Sequence, residues 1–396
     1  MASLYIVRSP TRRGVFSISL LCLVASIIWI FVWRLELKEY EIIRSQVTKN
    51  LPRICQYRRD NNISRRNDTN IIMFWTTRSG KKNWFTFSET ETIRQLTDFT
   101  KCSYNCIVTS DHSKLKQADV LLFYRNEKPD WPKIRYPHQY YAHFTHEAPP
   151  WLGHSKYLKQ YEGKINITIN FRRDADVYVP YNSILSVKSD EVYKPRIPHE
   201  NKTKMVVWPV SHCRTESHRE DYVSELSKYI DVDIYGACGK LICTRAIQQT
   251  CMKQWETNYM FYLSFENNIC EDYITEKTFQ PLRYEIIPVV LGGGNYTRDT
   301  PPHSIINVRD FNSPKDLADF LLKLAADKQR YRSYFKWKTH YQIDGGNMLC
   351  RLCEALHENQ LPRCLARTDY LNYWLGPDGE KCNNGLVRGI RKRGHW

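Results

Sequence analysis

The loop between two apolar runs in the second half of the chain constrains the fold more than any other segment. Tyr259–Phe265 and Ile286–Leu291 are short apolar runs rich in aromatic and β-branched residues, which predicts two buried strands. The segment between them carries the polar residues Asn267, Glu271, Asp272, Tyr273, Glu276 and Lys277. Ligands of open α/β sheets bind where strands end at their carboxyl edge. The pattern therefore predicts an α/β domain with a site for a charged ligand at this loop.

Strand-like runs alternate with helical or polar segments along most of the chain, a pattern typical of parallel α/β sheets. The first half contains the predicted strands Ile71–Trp75, Val120–Tyr124 and Tyr140–Thr145. The second half adds the predicted strands Met205–Val210, Val232–Tyr235 and Ile305–Val308, with helices predicted over Arg219–Ile230 and from Ser313 onwards. The polar segment Pro180–Lys204, which holds three prolines, is interpreted as a linker between two domains.

An uncharged run near the N-terminus predicts a membrane anchor. Gly14–Trp33 has twenty residues without a charge, enough to span a hydrocarbon core of about 30 Å at about 1.5 Å per residue. Basic residues dominate before the run, so we expect residues 1–13 to form a cytosolic tail and everything after the anchor to be luminal. A cleaved signal peptide is the alternative, but its apolar core is shorter, about 7–15 residues, and ends at a small-residue cleavage site. Residues 34–68 are charged and polar and are interpreted as a stem.

The cysteine content fits an oxidising compartment. The chain has thirteen cysteines, of which Cys22 lies within the apolar run, so an even number remains for disulfides in a lumen. A zinc site is the competing interpretation, because Cys350 and Cys353 have C-x-x-C spacing and Cys102 and Cys106 could complete four thiolates. Five Asn-x-Ser/Thr sequons agree with a luminal body and are predicted N-glycosylation sites: Asn62, Asn67, Asn166, Asn201 and Asn295.

The net charge of +16 favours anionic partners such as nucleotide diphosphates, acidic glycans, nucleic acid or a lipid surface. Charge alone does not choose among these classes. The anchor and the sequons put the body of the chain in the lumen, so we expect no nucleic-acid partner.

Three short blocks around the polar loop resemble the donor-sugar motif of the α1,3-fucosyltransferases of glycosyltransferase family 10. They are Phe265-Glu-Asn267, Asp272-Tyr-Ile-Thr-Glu-Lys277 and Pro288-Val-Val-Leu-Gly292, in family order and at family spacing. The resemblance covers about residues 70–375, and the cysteine pattern is similar to that of invertebrate members. It implies a GT-B-like fold, in which two Rossmann-like domains face a central cleft. The implied parts are an acceptor-side domain at 69–203, a GDP-fucose-binding domain at 204–345 and a cysteine-containing tail at 346–396.

The resemblance implies an activity and a location. The family transfers L-fucose from GDP-β-L-fucose to O3 of a GlcNAc residue in N-glycans or related glycans, with inversion at the anomeric carbon. Its members are single-pass type II proteins of the Golgi membrane with a luminal catalytic body. Core and antennary GlcNAc are both open as acceptors. The alternative from another class is a catalytically inactive luminal glycan- or heparin-binding protein that keeps the fold.

The resemblance also implies roles for individual residues. Glu147, within Phe144-Thr-His-Glu-Ala-Pro-Pro-Trp151, matches the general base that takes the acceptor proton, and a positioned carboxylate typically contributes about 10²–10⁴-fold. Lys277 and Arg219 neutralise the leaving diphosphate in place of a metal, so no cofactor is required and a divalent cation is at most stimulatory. The remaining donor-binding candidates are Asn267, Tyr273, Glu276 and Arg172.

The catalytic roles have structural alternatives. Glu147 could instead form an ion pair with His143 or His146. Glu276 and Lys277 could be no more than an exposed ion pair at the start of a helix.

The block Asn170-Phe-Arg-Arg-Asp-Ala-Asp176 departs from the family pattern, because a Tyr and a Ser of the family are replaced here by residues without hydroxyl groups. For Arg172, contact with the donor and an Arg–Asp pair that braces the cleft are both open. Asp174 and Asp176 mimic the D-x-D metal motif of a different glycosyltransferase class, but the resemblance implies basic side chains in place of a metal.

The resemblance further implies a disulfide arrangement. The tail cysteines of the family pair with cysteines early in the acceptor-side domain, which would join Cys350 and Cys353 to Cys102 and Cys106. A local bridge within each pair is the alternative. Further disulfide candidates are Cys213 and Cys238.

Overall fold

The computed structural model describes residues 70–77, 90–93, 102–124, 130–150, 158–189, 193–345, 347–358, 361, 366–376 and 380–394. The predicted cytosolic tail, anchor and stem lie outside the described residues, as do the sequons at Asn62 and Asn67. Within the described ranges, no helix combines the length and the apolar character needed to cross a membrane.

The first domain is built on a seven-stranded sheet with the order β2-β3-β1-β4-β5-β6-β7. All neighbouring strands are parallel except the pair β2 and β3. The central strands are buried along nearly their whole length, as expected for parallel strands covered on both faces. The bounds are β1 Ile71–Phe74, β2 Thr90–Thr92, β3 Ile107–Thr109, β4 Val120–Tyr124, β5 Tyr140–Phe144, α1 Leu158–Tyr161, β6 Ile167–Asn170, β7 Val177–Tyr178 and β8 Asn182–Ser186.

The second domain is built on a five-stranded, wholly parallel sheet with the order β10-β9-β11-β12-β13. Its central strand β11 is buried at every position, which explains why its apolar run has no alternation. The bounds are β9 Lys204–Pro209, α2 Arg219–Leu226, β10 Val232–Tyr235, α3 Gln248–Asn258, β11 Tyr259–Phe265, α4 Glu276–Leu282, β12 Ile287–Leu291, α5 Tyr296–Asp299, β13 Ile306–Asn307, α6 Pro314–Ala326, α7 Lys328–Ser333 and β14 Tyr341–Gly345.

The predicted helix start at Ser313 is confirmed. The Ser313 hydroxyl accepts a hydrogen bond from the Asp316 N–H at 3.1 Å, and Pro314 occupies the first turn, where its missing N–H costs nothing. Leu317, Leu321 and Leu324 are buried in the core of the second domain. The buried stripe and the cap together fix where α6 begins and which face it presents to the sheet.

The segment between the domains is more structured than its composition predicts. Within Pro180–Lys204, strand β8 pairs antiparallel with β14 of the second domain. Lys202, near the end of the segment, is buried, and its ammonium donates hydrogen bonds to the carbonyls of Tyr259 at 3.2 Å and Glu285 at 2.6 Å. The segment is therefore fixed to the second domain along much of its length.

The C-terminal tail contacts both domains in turn. It contains α8 Met348–His357, α9 Tyr370–Leu375 and α10 Leu386–Gly394. Helices α8 and α9 pack into the core of the first domain through Leu352 and Trp374. Helix α10 then places Val387 and Ile390 in the core of the second domain. The chain end thus ties the two domains together.

Two disulfides fasten the tail to the first domain. Cys102 pairs with Cys350 and Cys106 pairs with Cys353, closing loops of 248 and 247 residues. The long-range pairing implied by the resemblance is confirmed, and both the local bridges and the four-thiolate zinc site are wrong. The further disulfides among the described residues are Cys213–Cys238, Cys243–Cys251 and Cys270–Cys382.

The sequon at Asn166 is corrected by the structure. Asn166 follows α1, its side chain has no exposed surface, and its Oδ1 accepts hydrogen bonds from the Tyr141 N–H at 3.0 Å and from the Arg135 guanidinium. A glycan on this side chain has no room in the folded sheet, so the predicted glycosylation at Asn166 is wrong. Asn201 and Asn295 are exposed, and glycans there stay predictions.

Candidate functional site

A fully buried carboxylate organises the loop at the carboxyl end of β11. Glu266 follows the last residue of the strand and has no exposed surface. Its Oε1 accepts hydrogen bonds from the N–H and the hydroxyl of Thr275, at 2.9 and 2.8 Å. Thr275 is also the N-cap of α4, and its hydroxyl accepts from the Lys277 N–H. Glu266 therefore fixes the position of the first turn of α4.

Lys277 carries its charge between two carboxylates. Its Nζ lies 3.2 Å from Glu266 Oε2 and 3.2 Å from Glu276 Oε1. Burial alone lowers the pKa of Lys277, but the carboxylates of Glu266 and Glu276 outweigh it, and the pKa is raised. Burial also raises the pKa of Glu266, against the opposing effect of the Lys277 ammonium. The sequence left open that Lys277 forms no more than an exposed ion pair with Glu276. In the structure Lys277 also pairs with the buried carboxylate of Glu266.

Arg219 lies at the start of α2 and is 3% exposed. Its Nη1 donates to the Phe265 carbonyl and its Nη2 to the His212 carbonyl at 3.1 Å. Its Nε is buried and has no hydrogen-bond partner among the described residues. Burial lowers the pKa of Arg219, opposed first by the Glu266 carboxylate. The guanidinium thus joins the loop after β9 to the end of β11.

Two consecutive asparagines add unpaired acceptors beside these groups. The Oδ1 atoms of Asn267 and Asn268 are buried and have no partner within the described part of the chain. The Asn267 carbonyl accepts from the Ser217 N–H at 3.1 Å, which joins the two loops. A polar ligand with hydroxyl groups would satisfy the two amide oxygens. Asn268 and Glu266 were not singled out from the sequence, although a charged residue at the end of an apolar strand was a usable signal for Glu266.

Glu147 lies just beyond the carboxyl end of β5 and is half-buried. Its N–H donates to the Thr145 hydroxyl at 3.0 Å. The neighbouring histidines have other partners: the His146 ring bonds to the Val179 carbonyl at 2.9 Å, and the buried His143 bonds to the Tyr370 hydroxyl. Each imidazole therefore has a partner in the framework around Glu147.

Two tyrosines join the two halves of the site. Tyr181, which follows β7, and Tyr273, in the loop before α4, lie edge to face with ring centres 6.1 Å apart. Burial raises the pKa of both phenols, and the carboxylates of Glu147 and Glu276 raise each of them further. Both carboxylates therefore act electrostatically on the same pair of phenols, and the contact between the two rings brings the segment after β7 of the first domain against the predicted donor loop of the second.

Arg172 is not part of this group. It is 2% exposed, its Nη1 donates to the Tyr373 carbonyl, its Nη2 contacts the Asp174 carboxylate, and its guanidinium covers the Tyr373 ring at 4.5 Å. Helix α9 of the tail covers the Arg172 side chain, and donor binding by Arg172 stays a prediction. The alternative of a brace is the one that the contacts support.

Asp174 and Asp176, whose spacing resembles a D-x-D metal motif, do not form a metal site. The Asp176 Oδ2 accepts from the N–H and the hydroxyl of Thr168 at 2.9 and 2.7 Å and lies 3.6 Å from Arg367. Asp174 pairs with Arg172. Each carboxylate is thus balanced by protein donors rather than left for a cation.

The sequence matches known proteins along most of its length. Two family models match: Fucosyltransferase, N-terminal, over residues 67–182, and Glycosyltransferase family 10 (fucosyltransferase) C-term, over residues 199–371. Alpha-(1,3)-fucosyltransferase C of Drosophila melanogaster is 35% identical over 318 residues, 73% of this chain and 74% of that protein. Glycoprotein 3-alpha-L-fucosyltransferase A of the same species is 41% identical over 219 residues, 54% of this chain and 44% of that protein. A solved structure titled Crystal Structure of alpha1,3-Fucosyltransferase shares 14% identity over 77% of this chain and 93% of that chain, with a TM-score of 0.47.

Proposed function

The chain belongs to the fucosyltransferases of glycosyltransferase family 10, and we propose that it transfers L-fucose from GDP-β-L-fucose to O3 of a GlcNAc residue in an N-glycan or a related glycan, with inversion. The observation that carries this proposal is the contact between Tyr181 of the first domain and Tyr273 of the donor loop, 6.1 Å between ring centres, with Glu147 and Glu276 both near enough to raise the pKa of each phenol. Inverting transfer needs a base on one side of the anomeric carbon and cationic groups at the diphosphate on the other side. A purely glycan-binding protein needs neither.

In this proposal Glu147 removes the proton from the acceptor hydroxyl as that oxygen attacks the anomeric carbon. The GDP leaves from the opposite face, and its diphosphate gains charge. Lys277, held by Glu266 at 3.2 Å, neutralises that charge at a fixed point. The acceptor proton ends on Glu147, and the C1–O bond to the acceptor replaces the C1–O bond to the diphosphate.

The donor is held by polar groups around the end of β11. Glu276 and the amide oxygens of Asn267 and Asn268 accept hydrogen bonds from sugar or ribose hydroxyls, and the guanidinium of Arg219 donates to the diphosphate. Lys277 and Arg219 take the place of a divalent cation, so a metal is at most stimulatory.

We place this activity in the Golgi lumen, with residues 14–33 as a type II membrane anchor and a GT-B-like arrangement of the two domains. The five disulfides among the described residues support an oxidising compartment. Glycans at Asn62, Asn67, Asn201 and Asn295 belong to the same proposal. One Drosophila relative is named a glycoprotein fucosyltransferase, which supports a glycoprotein acceptor.

The test is transfer by the purified full-length chain in detergent. GDP release from GDP-fucose is measured with a core chitobiosyl N-glycopeptide and with a terminal N-acetyllactosamine as acceptors, and NMR of the product gives the linkage and the anomeric configuration. An α1,3-linked product supports the proposal. Tight binding of glycans or heparin without GDP release would favour the inactive binding protein instead.

A further inference from the structure

A ring of charged groups joins the two domains beside the donor loop. Arg173, in the turn between β6 and β7 of the first domain, places its Nη2 2.5 Å from Asp299 Oδ1 on α5. The Nη2 of Arg298, also on α5, lies 2.6 Å from Asp299 Oδ2 and 2.7 Å from Asp272 Oδ1. The Arg173 N–H closes the ring by donating to Asp272 Oδ2 at 3.0 Å. One residue of the first domain thus contacts two acidic residues of the second.

The two carboxylates of the ring are the more buried partners. The side chains of Asp272 and Asp299 are 13% and 11% exposed, against 42% for Arg298 and 46% for Arg173. A largely buried carboxylate that loses its cation is left uncompensated, so the acidic residues depend on the arginines. The carboxylates of Asp299 and Asp272 in turn raise the pKa of Arg298.

Asp272 holds an uncommon backbone conformation at the point where the donor loop turns. Its φ is 57°, in the left-handed region that few residues other than Gly, Asn and Asp adopt. Both of its carboxylate oxygens are bonded, one to the first domain and one to α5. The side chain therefore keeps in place a backbone geometry that the chain would not adopt by itself.

The next residue, Tyr273, is aimed by this turn at the first domain. Its ring packs against Phe171 at 4.9 Å and Tyr181 at 6.1 Å, measured between ring centres. Its N–H donates to the Cys270 carbonyl at 3.2 Å. A rotation of the turn at Asp272 would withdraw Tyr273 from between the two domains.

We propose that Asp272 is a positioning residue for fucosyl transfer, and that Arg173 of the acceptor-side domain sets its position through the charged ring. The ring holds Tyr273 against Phe171 and Tyr181 of the first domain and makes donor-loop geometry depend on the register of the two domains. The structural part of this inference, the dependence of the donor loop on the charged ring, is independent of the proposed function. Only the expected change in kcat rests on that function.

The first test is hydrogen exchange on the full-length chain in detergent, with GDP bound. Arg173→Gln and Asp299→Asn each remove one member of the ring, and neither residue lies in the donor loop. We expect each to speed amide exchange over 271–275 at least about tenfold, because the loop opens locally. The double variant should be no faster than the faster single variant.

A matched control comes from α6, where Lys315 and Asp319 form an exposed pair at 2.6 Å. Lys315→Gln, Asp319→Asn and their double variant should leave exchange over 271–275 unchanged. Unchanged exchange in both Arg173→Gln and Asp299→Asn would overturn the coupling between the domains. This result is independent of any enzymatic activity.

The second test is kinetic and uses Asp272→Asn, because Asn tolerates the left-handed backbone while it removes the charge and one of the two acceptor oxygens of the ring. We expect kcat per GDP-binding site to fall at least about tenfold, since a displacement of about 1 Å can cost up to about 10²-fold. The Kd for GDP should stay within about twofold, because Lys277 and Arg219 are untouched. An unchanged kcat per GDP-binding site would overturn the positioning role, whereas a wild-type chain without transfer would overturn the proposed function and leave the exchange result standing.

Discussion

The ammonium of Lys277 lies 3.2 Å from Oε2 of Glu266, a carboxylate without exposed surface. The two residues are eleven positions apart, on the strand end and on the helix that follows it. Because a buried carboxylate is costly without a cation, the pair acts on stability and on chemistry at once. Variants that separate these two effects give the sharpest test of the site.

Lys277→Met removes the ammonium and should lower kcat by about 10²–10³-fold, by analogy with a lost donor to a developing anion. It should also destabilise the fold by about 3–5 kcal/mol, because Glu266 is left as an unpaired buried charge. The double variant Glu266→Gln/Lys277→Met should recover most of the stability and none of the activity. Urea unfolding and transfer rates measure the two quantities, and recovery of transfer in the double variant would remove Lys277 from the mechanism.

Glu147→Gln keeps the shape of the proposed base and removes its capacity to accept a proton. Transfer should fall by at least about 10²-fold, while GDP binding stays unchanged. Glu271→Gln is the matched control, because Glu271 is an exposed carboxylate of the donor loop, paired with Lys381 at 2.7 Å. Near-normal turnover by Glu147→Gln would mean that another group takes the proton.

The elements that the sequence predicted well are those whose signal is local. Strand β11 has the predicted bounds because a strand buried on both faces is apolar throughout. The start of α6 was predictable because a cap and its partner are three residues apart. The loop carrying Lys277 was predictable because charged residues directly follow a buried strand.

The features that the sequence did not indicate are those that depend on distant partners. Tyr373, 201 positions later in the chain, buries Arg172, and no sequence pattern near Arg172 indicates this contact. Strand β8 pairs with β14, which lies beyond the whole second sheet, and its polar sequence alone resembles a linker. The sequon at Asn166 has no local sequence feature that indicates burial, because its side chain is buried only in the folded domain.

A pH dependence of stability follows from Lys202. Burial lowers the pKa of its ammonium from the ordinary value of 10.5 to about 8. The carboxylates of Glu285 and Glu256 act in the opposite direction but do not outweigh burial. Between those two values the unfolded chain binds the proton and the folded chain has released it, so stability rises with pH across this window. The rise amounts to about 3 kcal/mol for this lysine.

Lys202→Met should remove that share of the rise, measured as the free energy of unfolding in urea at pH 8 and at pH 10. Lys338, whose pKa burial also lowers to about 8, contributes a second share in the same direction, and Lys338→Met is the parallel variant. A slope equal to that of the wild type in both variants would contradict this account.

Metal removal should have little effect on transfer. Lys277 and Arg219 take the role of a cation in the proposed mechanism, so saturating EDTA should leave most of the activity. Asp176→Asn should lower stability, because it removes the charge that faces the buried Arg367 at 3.6 Å, without making the activity dependent on manganese. Complete loss in EDTA with recovery on adding manganese would restore Asp174 and Asp176 as candidate ligands.

The two disulfides of the tail should show strong non-additivity. Cys102–Cys350 and Cys106–Cys353 close loops of 248 and 247 residues, so either bridge alone removes nearly the same entropy from the unfolded chain. Replacing one pair with alanine should therefore cost little loop entropy, whereas replacing both should cost on the order of 5 kcal/mol. The control is Cys213–Cys238, which closes a loop of 25 residues by itself, so its removal should cost about 3–4 kcal/mol at once. The measurement is the free energy of unfolding in urea. Equal, additive losses from the two tail bridges would mean that they act through local packing around α8 rather than by closing the chain across the domains.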